Sequence, residues 1–148
     1  MYTEYQPSHL LVPYIDSYWE FKGNPDYGMR IHILPDGCTD FIFTLGEVAN
    51  AVEEGSLIMQ PYRSYFVGPM TKYSELVTYT ESIHMFGVRF LPCGLSCFTN
   101  LPLHEFVNSR VSTNEMKAVF DDTFIEKLGE QKHVTDRIRV VEEYLLAY

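Results

Sequence analysis

The chain has 148 residues, a length that suits one domain. Hydrophobic residues make up 46% and aromatics 15%, with eleven Tyr and ten Phe, which argues against disorder and, with aromatic and β-branched residues outnumbering Ala, Glu and Lys, points toward sheet. The formal net charge of -9, from eleven Lys plus Arg against twenty Asp plus Glu, argues against direct contact with DNA or RNA, and the basic residues form neither a cluster nor a membrane-surface stripe.

Three cysteines, Cys38, Cys93 and Cys97, stand in a sequence that opens without a charged segment followed by an apolar run. An odd count in that setting argues for a reducing compartment, and no stretch approaches the ~18 apolar residues of a membrane span. The expected location is the cytoplasm, with no membrane partner.

In chain order, residues 1–13 read as an extended lead-in with Pro7 and Pro13, and 14–22 as the first strand. After the breaker cluster Gly23 to Gly28, Met29 to Leu34 alternates apolar and polar residues as a half-buried strand does. Pro35-Asp36-Gly37 suits a tight turn, and Thr39 to Leu45 is expected to return as the second strand of a hairpin. Weaker strands are expected at 56–60, 64–67 and 74–80, and a clear one at His84 to Leu91.

After Pro92 the pattern turns helical. Gly94 to Phe98 and Pro102 to Val107 read as short turns, and Ser112-x-x-Glu115 as a capping box opening a helix through Met116, Val119, Phe120, Phe124, Ile125 and Leu128, with Gly129 stopping it. Thr135 is expected to cap a last helix whose apolar seam is Val134, Ile138, Val141, Leu145 and Tyr148. The layout is one domain over 1–148: a β-barrel of six to eight strands at 1–92 and a helical tail at 93–148. The seam reaches Tyr148 without a stop residue, which fits either a helix that continues or an uncapped, fraying terminus.

Five histidines, His9, His32, His84, His104 and His133, show no pair at one-apart or four-apart spacing, so no metal site and no cofactor is expected. Cys93 and Cys97 are four apart and read as small buried residues; a zinc site with His104 and Cys38 is a weak rival. Nucleophile elbows and glycine-rich phosphate loops are lacking, so the chain is not expected to be an enzyme. The candidate ligand pocket is a barrel interior lined by Trp19, Arg30, His32 and Arg89; the rival reading puts the polar three on the solvent face and Trp19 in ordinary core.

Five motifs then occur in order: Tyr18-Trp19; Ile33-Leu34-Pro35-Asp36-Gly37 followed by Asp40-Phe41-Ile42-Phe43; Phe66-Val67-Gly68-Pro69; Phe86-Gly87-Val88-Arg89-Phe90-x-Pro92-x-Gly94; and Arg137-Ile138-x-x-Val141-Glu142. The series resembles the N-terminal domain of a subgroup of AraC/XylS-type transcription regulators. The resemblance implies a mainly β fold with C-terminal helices, namely a cupin-like β-barrel or jelly roll followed by a small helical segment. It further implies a domain that senses a small-molecule effector and forms a homodimer, with DNA reached through a C-terminal helix-turn-helix half absent from this chain. Cys93 departs from the pattern, where glycine is expected, and the histidine-and-glutamate metal motif of enzymatic cupins is lacking. On this reading Ile138, Val141 and Leu145 pack between protomers. The alternatives are a stand-alone cupin-like binding module and a metal-dependent cupin enzyme drawing on His32, His84 and a carboxylate.

Overall fold

A computed structural model describes residues 2–23, 30–33, 38–45, 49–51, 58–59, 64–67, 74–78, 83–92, 94–98, 110–112 and 121–147. Strands β1 (Tyr2–Tyr5), β2 (Ile15–Gly23), β4 (Thr39–Thr44), β7 (Ser64–Val67), β9 (Ile83–Phe90) and β10 (Arg110–Ser112) form one sheet, in the order β1-β2-β9-β4-β7-β10. Strands β3 (Arg30–Ile33), β5 (Ala49–Ala51), β6 (Ile58–Met59) and β8 (Ser74–Thr78) form a second, in the order β3-β8-β5-β6. Every pairing is antiparallel.

From β2 to β9 the chain passes back and forth between the sheets, and early strands pair with late ones: β2 with β9, β3 with β8, β4 with β7 and β9. That connectivity is a jelly roll, the architecture that cupins share. The mainly β fold with C-terminal helices is therefore the fold that the composition and the resemblance imply.

The expected hairpin does not form. Strands β3 and β4 lie in different sheets, because turn-forming residues in a sequence favour a reversal of direction but do not choose a partner. Strands β1, β5 and β10 join the predicted ones, so the described residues hold ten rather than six to eight. Strand β10 lies within the stretch read as helical tail and pairs with β7, Val111 opposite Phe66.

Strands β4 and β7 are buried along their whole length, including Thr39, Asp40 and Ser64, so the larger sheet is covered on both faces at these strands. One cover is helical. Helices α1 (Asp122–Glu130) and α2 (Val134–Leu146) contribute Phe124, Leu128, Val140, Val141 and Leu145 to a core shared with Tyr18, Phe41, Phe43, Phe66, Phe86, Val88 and Phe90.

The helix boundaries differ from expectation. Ser112 ends a strand instead of opening a capping box, and α1 is capped by Asp121, whose carboxylate accepts the Phe124 amide at 2.8 Å. Gly129 lies inside α1, which ends at Glu130, and Thr135 lies inside α2, whose N-cap is His133. The predicted helical positions Met116, Val119 and Phe120, and the turn at 102–107, lie outside the described residues. The turn at Gly94 to Phe98 is a 3-10 helix over Leu95–Cys97, and a Cβ on Gly94 would strike the Tyr14 carbonyl, which accepts the Leu91 amide at 2.9 Å. Among the described residues no helix is long and apolar enough to cross a membrane.

Candidate functional site

Directly opposed residues of an antiparallel pair project to the same face, so the registers sort the larger sheet into two surfaces. Ser17 lies opposite Arg89, Arg89 opposite Asp40, Trp19 opposite Gly87 and Gly87 opposite Ile42. These six share the face away from the helices. Tyr18, Glu20, Phe41, Phe43, His84, Phe86 and Val88 share the other, the face that α1 and α2 cover.

On the first face Trp19 is buried and its indole packs directly against Gly87; a Cβ on Gly87 would collide with the indole atoms Cε2, Cζ2 and Nε1. Glycine is what lets the large ring lie against the neighbouring strand here. One residue row away, Arg89 donates through Nε to Asp40 Oδ1 at 3.3 Å and its Nη1 lies 3.6 Å from Glu4 Oε2. The Ser17 hydroxyl is within hydrogen-bond distance of Glu4 Oε2, 3.1 Å, and of Asp16 Oδ2, 3.3 Å. The surface therefore sets a buried indole beside a half-buried guanidinium that two carboxylates neutralise. An aromatic ring and convergent polar groups are the residue types that recognise planar ligands.

The opposite face holds α2 by two polar ties. The Tyr18 hydroxyl and the Ser8 amide both donate to Glu142 Oε2, at 3.0 and 2.8 Å. Arg137, only 4% exposed, reaches Glu20 Oε2 with Nη1 at 3.5 Å and donates from Nη2 to the Gln131 carbonyl at 2.9 Å. The same Glu20 oxygen lies 2.9 Å from His84 Nε2. Burial, then the Glu142 charge and its hydrogen bond, push the Tyr18 phenol well above its ordinary range, so it stays a neutral donor.

Of the four residues predicted to line a pocket, Trp19 and Arg89 share a face of the larger sheet. Arg30 and His32 lie on β3 in the smaller sheet, in register with Val77 and Glu75, and their side chains lie outside the described residues. His84 is on the helix-covered face, bound to Glu20, and so does not share a surface with Trp19 and Arg89.

Val141 and Leu145 are buried in the chain's own core and Ile138 packs against it, so the apolar seam of α2 meets the sheet of its own protomer. Cys97, expected to be buried, is exposed, while Cys38 is buried; both are free thiols. Cys93 and His104 lie outside the described residues. Among the described residues no group of three or more His, Cys, Asp or Glu is placed to hold a metal ion.

Sequence reasoning missed Ser8, Tyr18, Glu20, Asp40, Arg137 and Glu142 as interacting groups. One pattern pointed to part of this set. Arg137 is four residues before Val141, inside the apolar stripe of α2, where a charge needs a buried partner. A separate cleft of about 270 Å³ lies between the helices, floored by Phe124 and Val140 and rimmed by Lys127, Glu143 and Tyr144.

Residues 3–112, from β1 to the end of β10, match the family model described as "Domain of unknown function (DUF6597)". No curated protein matches the chain. Among solved structures, the chain is similar to the Cupin_2 domain of an XRE family transcriptional regulator from Enterobacter cloacae, at 10% identity and a TM-score of 0.49, covering 62% of this chain and 96% of that one.

Proposed function

The chain belongs to the DUF6597 family, and we propose that it is the effector-sensing and dimerising domain of an AraC/XylS-type transcription regulator. The carrying observation is the surface on the larger sheet where Trp19 lies against Gly87 beside the Arg89–Asp40–Glu4 cluster. A buried aromatic with convergent polar groups on a rigid sheet is what small-molecule sites are built from. The five motifs of the sequence support the regulator assignment, since the jelly roll and both helices coincide with the fold that the resemblance implies.

In this reading the effector is a small planar molecule that stacks on Trp19 and hydrogen-bonds beside Arg89. The protein acts in the cytoplasm, and the net charge of -9 assigns the DNA contact to another segment. The protomers pair as a homodimer, and because Val141 and Leu145 are consumed in the core, the contact uses exposed residues. Leu10, Val12 and Leu146, at 64%, 53% and 48% exposure, supply apolar surface for it.

The test is a screen of small aromatic metabolites against the purified chain, read by Trp19 emission and thermal shift, with sedimentation velocity across concentration. A true effector at about 100 times its Kd adds ~2.7 kcal/mol of stability and moves both readouts. A concentration-independent monomer that no compound stabilises rejects the assignment.

A further inference from the structure

Strand β2 faces two ways. Ser17 and Trp19 belong to the surface assigned above to the effector, while Tyr18 and Glu20, each one residue from Trp19, hold α2 through Glu142 and Arg137. Elsewhere α2 packs on the core through Val140, Val141 and Leu145, with Val134 and Ile138 alongside, contacts that are apolar and non-directional. Apolar contacts let a helix slide, whereas hydrogen bonds to a carboxylate fix its position along the sheet.

We propose that β2 is the transmission element of the domain: a displacement of Trp19 on one face shifts α2 on the other through the Tyr18–Glu142 and Glu20–Arg137 contacts. This rests on the sensing role proposed for the Trp19 face. Three features favour transmission. The indole is backed by the Gly87 backbone of the neighbouring strand β9 and by no yielding side chain there, so a push on the ring is returned to its own strand, β2. The β2–β9 register slips between Ile15 and Ser17, an irregularity at which a strand adjusts its position. Arg137 is buried and its guanidinium is fixed at the start of the helix by its bond to the Gln131 carbonyl, so a shift of Glu20 reaches α2 rather than a loose side chain. Coupling of this kind is reciprocal, so a change at α2 must also be felt at Trp19.

Trp19 is the single tryptophan of the chain, and its emission therefore reports one position. The experiment compares Tyr18→Phe with Arg139→Ala in the full chain. Arg139 sits on the exposed side of α2 and pairs with Asp136 at 3.5 Å. Tyr18→Phe is expected to shift Trp19 emission and raise its quenching by acrylamide, and Arg139→Ala to leave both unchanged. In the reverse direction, Trp19→Phe is expected to lower hydrogen-exchange protection of α2 amides about tenfold, equivalent to ~1.4 kcal/mol, while α1 amides keep theirs.

Unchanged Trp19 emission in Tyr18→Phe overturns the proposal, and so does an equal shift in Arg139→Ala. Equal loss of protection in both helices, or none in either, overturns it as well. None of these arms uses an effector, so the two readings fail separately. Coupling without any compound that moves Trp19 defeats the sensing role alone. A compound that moves Trp19 while α2 exchange stays constant defeats the coupling alone.

Discussion

Tyr18 is the residue on which most of the architecture converges. Its ring lies parallel to Phe86 with centroids 6.4 Å apart, and its hydroxyl donates to Glu142. Because burial and Glu142 raise its pKa, the folded protein keeps the phenol protonated at a pH where the unfolded chain, near the ordinary value of 10.0, has released the proton. The unfolded state then binds fewer protons than the native one, so stability is intact below about pH 10 and falls as pH rises above it. Denaturant melts at pH 8 and pH 11 should show this loss, and Tyr18→Phe should flatten it while costing ~1–2 kcal/mol at pH 8 for the missing hydrogen bond. A Tyr18→Phe variant that keeps the full alkaline slope assigns the effect to other tyrosines.

Helix α2 shows how far an element can be read from a sequence. Its seam of Val134, Ile138, Val141 and Leu145 was legible from spacing alone, since a helix must bury such a stripe. Which surface receives the stripe was not legible, because spacing is local and the receiving sheet assembles from strands far apart in the chain. The same limit explains β3 and β4: both strands were evident from their residues, yet β3 pairs with β8, and β4 with β7 and β9, rather than with each other. Of the candidate site, Trp19 and Arg89 could be assigned to faces by alternation, while the carboxylates around Arg89 became visible only through register. Gly94 had no evident cause in the sequence; its cause is a carbonyl supplied by Tyr14. With Val141 wholly buried in its own protomer, Val141→Asp places an unpaired charge in the core. The variant should lose several kcal/mol, on the order of 3–5, in equilibrium unfolding of the monomer. A loss confined to dimer dissociation, with monomer stability intact, would place the side chain between protomers instead.

At the scale of the whole molecule, the acidity predicts a negative result that can be checked directly. In a mobility-shift titration at physiological salt, this chain alone should retain no DNA fragment, since it has twenty carboxylates to eleven cationic side chains. Retention with a steep salt dependence would reveal a basic surface that the net charge conceals.

The crossing of early strands with late ones also sets a timetable during synthesis. Glu20 meets His84 across 64 positions and Tyr18 meets Glu142 across 124. At about 5–20 residues per second on the ribosome, Tyr18 waits on the order of ten seconds for its helix to be made. For about the first half of that interval Tyr18 lacks β9, and for all of it the growing apolar set of Tyr18, Phe41, Phe43 and Phe66 lacks the helices that cover it, which makes the nascent chain a client for holding chaperones until α2 emerges.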